Sequence, residues 1–190
     1  MKSLSIQPSV SHRLLLQLAI FVILAAGNLT STSVFANEQI ASSLEITSLF
    51  RAARKVVSTN QALINEARAG KTFTADYVTQ EAKKNFKSAT GHDLDMAEDP
   101  QQAKASLLKA VEEVMISSQE LINDPDKGFK GFLPAVFARQ VATSFSKYMD
   151  GKMKIKLTAP KKYVCNRSNR PDKWESQVIE EMFTQADYKK

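Results

Sequence analysis

The stretch from Gly128 to Glu175 restricts the possible folds more than any other part of this chain. It opens with Gly-Phe-Lys-Gly-Phe-Leu-Pro-Ala-Val-Phe-Ala-Arg at Gly128–Arg139. It passes through Lys-Met-Lys-Ile-Lys-Leu-Thr-Ala-Pro at Lys152–Pro160 and closes with Asn-Arg-Ser-Asn-Arg-Pro-Asp-Lys-Trp-Glu at Asn166–Glu175. Within Phe129–Met149 the spacing predicts a helix. Pro134 suits its first turn, where the missing N–H is harmless, and Phe132, Leu133, Val136, Phe137, Val141 and Phe145 make one strongly aromatic face. Asp150-Gly151 is a tight-turn signal. Lys152–Thr158 then sends Met153, Ile155 and Leu157 one way and lysines the other, the period of a strand, and Pro160 ends it. Tyr163–Arg170 reads as a loop. Pro171 with Asp172 begins a last helix, Trp174 to about Phe183, apolar on Trp174, Val178, Ile179 and Met182. A helix, a strand and a helix in fixed relation are expected, with no catalytic constellation among them.

Upstream the periodicity is helical. Glu38 to about Ala69 predicts one long helix with a stripe at Ile40, Leu44, Leu49, Phe50, Ala53, Val56, Val57, Leu63 and Ile64, stopped by Gly70. That stripe has to be buried against the body of the domain or against a second copy of the same helix in a homodimer. Thr74 to Thr90 predicts a second helix, with Thr74 as N-cap and Gly91 as stop; its apolar side is Phe73, Tyr77, Val78, Ala82 and Phe86. His92-Asp93-Leu94-Asp95 is a polar connection or a brief strand. Asp99-Pro100 predicts a helix start with Asp as cap and Pro at the first helical position, and the helix runs to about Ile122. Asn123–Gly128 is turn-rich.

The first thirty-six residues read as an address. Lys2 and Arg13 form a positive region, Leu14–Gly27 is apolar apart from Gln17, and Val34-Phe35-Ala36 supplies a small-x-small cleavage site before Asn37. We expect export by the Sec route, cleavage after Ala36 and a periplasmic location. The apolar run is shorter than the roughly 20 residues of a spanning helix, and a membrane is involved only if the segment is uncleaved. Cleavage lowers the formal net charge from +6 to +4. The lysines are scattered in short pairs such as Lys83-Lys84 and Lys161-Lys162, with no basic stripe interleaved with aromatics, so nucleic-acid binding is not expected. The remainder, 37–190, is long enough for one domain.

The inventory of reactive groups is small. A single cysteine, Cys165, excludes an internal disulfide and a zinc site built on several thiolates. His12 lies in the leader, which leaves His92. His92 with Asp93 and Asp95 is a weak metal pattern and reads as a surface loop. Glu112 and Glu113 are adjacent on a helix, point about 100° apart and make a poor acid–base pair. With no nucleophile–base pair, metal cluster or phosphate loop, an enzyme is not expected.

The quoted motifs resemble those of a bacterial family, the periplasmic PAS-like sensor domains of the cyanobacterial Tll type, which often carry a c-type haem. The resemblance rests on Gly-Phe-Lys-Gly-Phe-x-Pro-Ala-x-Phe-Ala at Gly128–Ala138, on Lys-x-Thr-Ala-Pro at Lys156–Pro160, and on the Asn-Arg…Asn-x-Pro-Asp-x-Trp-Glu element at Asn166–Glu175, which here has one spacer residue fewer. Phe50-Arg51 and Asn60–Asn65 look like the family's first helix. The resemblance implies an α+β, PAS-like, helix-rich fold: a long N-terminal helix, and helices packed on a small antiparallel sheet. Haem-bearing members continue past the Trp-Glu helix into further strands and a Cys-x-x-Cys-His attachment motif; no such motif occurs in these 190 residues. We therefore expect a shortened member with an incomplete sheet and no covalent haem. Its function would be that of an exported, non-enzymatic sensory or ligand-binding domain that passes its signal to a partner protein. The alternative is a redox or electron-transfer protein whose haem is held non-covalently, with Cys165 and His92 as ligands, or completed by a partner. The ligand-binding positions that the family signature implies are Phe129, Phe132, Phe137, Arg139, Asn166, Arg167, Asn169, Arg170 and Trp174.

Overall fold

Side chains that repeat every third or fourth residue bury themselves on one another without any sheet. The computed structural model describes residues 37–97, 99, 102–164 and 166–184, and among them α-helices and two 3-10 turns are the only regular elements. Helix α1 covers 37–59, α2 Gln61–Asn65, α3 Ala75–Thr90, α4 Ala103–Ser117, α5 Gln119–Asn123, α6 Pro134–Tyr148 and α7 Lys173–Thr184. The chain divides into two units at Glu45/Ile46. In the first, Ile40 and Leu44 are exposed; the rest of this description concerns the second. The leader and its cleavage site lie outside the described residues, as do Pro100 and Cys165.

The core is filled by Leu49, Phe50, Val56 and Val57 of α1, Val78, Ala82 and Phe86 of α3, Leu107, Val111, Val114 and Met115 of α4, and Phe137, Val141 and Phe145 of α6. Helix α4 packs on α3 and on α6. Each of these stripes follows the helical period, which is why the four long helices form.

The expected α+β architecture is not present: no strand occurs among the described residues. The alternation at Lys152–Thr158 nevertheless has a cause. Residues 154–160 run as an irregular strap, and Met153, Ile155 and Leu157 pack on the helical core. A period of two therefore reports here an extended backbone buried on one side, not a ladder with a neighbouring strand. His92–Asp95 likewise forms no strand.

Two helix boundaries also differ from expectation. The helix expected from Glu38 to Ala69 breaks at Asn60, whose side-chain amide donates to the Val56 carbonyl at 2.8 Å, and ends at Asn65. The helix expected to reach Ile122 unbroken from Pro100 begins at Ala103 and breaks at Ser118, whose hydroxyl donates to the Val114 carbonyl at 2.7 Å. In both, a short polar side chain competes for a carbonyl of the preceding turn. Asp99 still caps α4 from a distance, accepting from the Ala105 amide at 3.0 Å. Thr74 and Gly91 act as expected. Thr74 Oγ1 accepts from the Tyr77 amide at 3.2 Å, and Gly91, at φ +83°, donates to the Lys87 carbonyl at 2.8 Å.

The bundle is two copies of one unit. Gln61-Ala-Leu-Ile-Asn65 and Gln119-Glu-Leu-Ile-Asn123 form α2 and α5, each after a broken long helix and before a loop that carries a buried Lys, a buried Phe two residues later and then a new helix. The two copies brace each other by the same two bonds, each made in both directions. Gln61 Nε2 donates to the Phe132 carbonyl at 3.1 Å, and Gln119 Nε2 to the Phe73 carbonyl at 3.1 Å. Asn65 Oδ1 accepts from the Lys130 amide at 2.8 Å, and Asn123 Oδ1 from the Lys71 amide at 2.8 Å. Buried donors and acceptors of both loops are thereby satisfied.

Candidate functional site

The signature stretch folds into one wall-and-cover arrangement. Pro134 opens α6, so that Ala135, Ala138, Arg139, Ala142, Thr143 and Ser146 fall on one face by helical spacing. The strap passes over that face. Between them lies an open cleft of about 650 Å³, closed at one end by Asn169, Asp172 and Glu175. A neighbouring groove of about 450 Å³ continues past Ala135, Leu157 and Asn169 to Arg54, Tyr163 and Asn166. Small residues along α6 leave the space; a Leu at Ala138 or Ala142 would fill it.

The end of the cleft is held by hydrogen bonds that use the signature residues one by one. Asp172 Oδ1 accepts from the Glu175 amide at 2.8 Å and Glu175 Oε2 accepts from the Asp172 amide at 2.8 Å, a reciprocal capping box at the start of α7. Lys156 of the strap donates to Glu175 Oε2 at 2.6 Å and to the Arg170 carbonyl at 2.8 Å, and Thr158 Oγ1 donates to the Asn169 carbonyl at 3.0 Å. The Lys-x-Thr of the strap and the Asn-Arg-Pro-Asp-x-Trp-Glu element are thus two sides of one clasp. Both acids of the cleft are committed to it. Arg139 and Lys154, by contrast, line the cleft with no ion pair among the described residues.

The nine positions singled out from the sequence separate into three groups. Phe132 and Phe137 are 2% and 0% exposed and meet edge-on with ring centroids 6.0 Å apart, so they support the cleft from beneath. Arg139, Asn166 and Asn169 line the cleft or its continuation. Phe129, Arg167, Arg170 and Trp174 are exposed, Trp174 at 70%. The residues not anticipated are Lys154, Lys156, Asp172 and Glu175 and the small face of α6; the sequence signal for Asp172 and Glu175 was the Asp-x-x-Glu spacing of a capping box.

The Lys of the Gly-Phe-Lys-Gly-Phe motif has a structural task. Lys130 is 2% exposed, and its ammonium donates to the carbonyls of Asp124 and Lys127. Its counterpart Lys71, 4% exposed, donates to the carbonyls of Ile64, at 3.3 Å, and Ile122. These are carbonyls at helix ends and turns, which favour a cation. Burial, and then the charge of Lys130, hold the Lys71 pKa below the usual lysine value.

Among the described residues no group of His, Cys, Asp and Glu is placed to hold a metal ion, and no helix is long and apolar enough to cross a membrane. A c-type haem needs two thiols and a histidine in one motif, and the chain has one cysteine. His92 turns its ring edge-on to Phe86, 5.5 Å between centroids, and its Nδ1 lies 3.0 Å from the Asp93 carbonyl. The residues present do not fit a covalently attached haem.

No curated protein and no solved structure shows significant similarity to this chain. The model of the Tll0287-like family matches residues 32–190, which takes in both helical units, the strap and the clasp. The chain belongs to the Tll0287-like family.

Proposed function

We propose that this protein is an exported, non-enzymatic sensory or ligand-binding module, and that its ligand occupies the cleft between α6 and the strap. The observation that carries this reading is the state of the cleft's charges. Its two carboxylates are consumed by the clasp, while Arg139 and Lys154 are left to face the space between. Such an arrangement suits a small carboxylate or phosphate, which a guanidinium can hold through paired N–H groups. No group beside it is arranged to take up a proton or attack a bond, so binding rather than turnover is the expected chemistry. Export rests on the leader read from the sequence. A ligand that bridges α6 and the strap would tighten the clasp, and a partner protein touching α7 could read that change.

The test is thermal unfolding of the purified protein with a panel of small carboxylates and inorganic phosphate, beside the Arg139→Ala variant. A rise in melting temperature for at least one compound, lost in the variant, supports the reading. No rise for any compound at about 1000 times the affinity range of typical small-molecule sites, or an equal rise in the variant, removes it. An absorption spectrum of the same preparation checks the haem alternative: a Soret band would put a haem protein in its place.

A further inference from the structure

The two copies of the repeated unit treat one groove differently. In the second copy, between α4 and α6, the chain fills it with its own side chains. Lys109 Nζ sits 4.5 Å from the centre of the Tyr148 ring. Glu113 lies beside Tyr148 and Ser144, and Tyr148 first, then Ser144, holds its pKa below the usual carboxylate value. A ring plugs the groove, and a carboxylate and a cation close it.

In the first copy the matching groove, between α1 and α3, is open, with a volume of about 640 Å³. The pairing of Gln61 with Gln119 and of Phe73 with Phe132 fixes which residues correspond. Ala89 stands where the second copy has Tyr148, Asn85 where it has Ser144, Arg51 where it has Lys109 and Lys55 where it has Glu113. The ring is missing and the carboxylate is replaced by an ammonium. The remaining lining is Ser48, Ala52, Arg54, Ser58 and Ser88, and no acid lines it. Arg51, Arg54 and Lys55 have no ion pair among the described residues. Its lining includes Ala52 of α1, a core residue at 5% exposure.

We propose that this groove binds a small aromatic acid, its ring taking the place that Tyr148 fills in the second copy and its carboxylate meeting Arg51 and Lys55. The second copy shows that the groove accommodates a ring beside a cation, and the cation–ring contact recurs with Arg51. Lys55 supplies the charge complementary to the carboxylate that the first copy lacks. A cation cluster alone would hold any anion weakly and lose it to salt. Ala52 and Ala89 give a ring apolar contact that acetate does not make. This site is independent of the α6 cleft and needs no ligand there.

The test is calorimetric titration of the protein with 4-hydroxybenzoate, with acetate (charge without ring) and phenol (ring without charge) as comparisons. The expected result is that 4-hydroxybenzoate binds at least about tenfold more tightly than either, a difference of about 1.4 kcal/mol. Amide resonances of Arg51, Asn85, Ser88 and Ala89 should shift with it. Ala89→Tyr combined with Lys55→Glu rebuilds the plug of the second copy and should abolish binding with the melting temperature kept. All titrations are made in the Arg139→Ala background, so that a carboxylate held in the α6 cleft adds no heat. Should the double variant fold poorly, the exposed Arg51→Gln decides instead, with a loss of about tenfold expected. Equal affinity for acetate and 4-hydroxybenzoate, no heat and no shift at about 10 mM, or undiminished binding in the folded double variant or in Arg51→Gln would overturn the proposal.

Discussion

Replacing Asn123 by Ala tests whether the two copies of the unit hold each other together. Asn123 Oδ1 accepts from the Lys71 amide at 2.8 Å, and its Nδ2 donates to the Gln119 carbonyl at 3.0 Å. Lys71 is 4% exposed and the bond from its amide is partly buried, so the change leaves that N–H without its acceptor. An unsatisfied buried donor costs about 1–3 kcal/mol and the second, partly exposed bond about 0.5–1 kcal/mol. We therefore expect Asn123→Ala to lose about 1.5–4 kcal/mol. The brace is exchanged, so Asn65→Ala should lose a similar amount. Asn65 Oδ1 accepts from the Lys130 amide at 2.8 Å, its Nδ2 donates to the Gln61 carbonyl at 2.8 Å, and Lys130 is 2% exposed. Urea unfolding followed at 222 nm is the assay, with an unchanged m-value as the sign that the folded state is intact. A loss of less than about 0.5 kcal/mol at either position would refute the reasoning. So would a loss at one position three times that at the other, because the two braces differ only in the further bond from Asn123 Nδ2 to Gln119 Oε1 at 3.2 Å.

Three further outcomes follow from other parts of the fold. Asp150 ends α6 at φ +50°, whereas Gly91 ends α3 in the matching place at φ +83°. Asp150→Gly should therefore stabilise by about 0.5–1 kcal/mol and Gly91→Ala should destabilise by about 1 kcal/mol, both read from urea midpoints. Lys156→Met removes the strap's bonds to Glu175 and to the Arg170 carbonyl. It should cost about 0.5–1.5 kcal/mol and speed limited proteolysis within 150–172; an unchanged cleavage rate would show that the clasp does not hold the strap. For Lys71 the folded pKa is depressed, so the folded state gives up this proton before the unfolded chain does. The cost of burying the charge is felt in full below the folded pKa and is relieved as pH rises from there toward the unfolded value of about 10.4. The wild type should gain stability relative to Lys71→Met between pH 7 and pH 10, and a pH-independent difference would show that this ammonium is not desolvated.

Much of the helical plan is legible in the sequence, because a stripe of period 3.6, a Thr cap and a Gly stop each act over one or two turns. Thr74, Gly91 and Pro134 do what their chemistry dictates. The breaks at Asn60 and Ser118 are less visible, since Asn and Ser occur within helices as well as at their ends and only their hydrogen bonds to Val56 and Val114 decide the matter. The strap shows a different limit. Met153, Ile155 and Leu157 reveal that one side of the backbone is buried, but a sheet needs a second backbone alongside, and alternation says nothing of a neighbour. In the site, Arg139, Asn166 and Asn169 stand at the cleft because the signature that carries them also builds its walls. Phe132 and Phe137 belong to the same signature for the opposite reason: they are core.

The repeat explains why that signature looks like a binding motif while much of it is architecture. Gly-Phe-Lys-Gly-Phe-Leu-Pro places Lys130, Phe132 and Pro134, and Gly-Lys-Thr-Phe-Thr-Ala places Lys71, Phe73 and Ala75 in the same order. Each sequence seats an ammonium on carbonyls, buries a ring and starts a helix two residues on. What repeats is therefore what both halves need in order to fold. What does not repeat is free to differ in function, and two places differ. The outer face of α6 is small and is covered by the strap, where α3 carries Lys83, Lys84 and Lys87. The groove beside α3 is open and cationic, where the groove beside α6 holds the Tyr148 ring against Lys109. The cleft at α6 and the groove at α3 thus both fall on surfaces where the two halves differ.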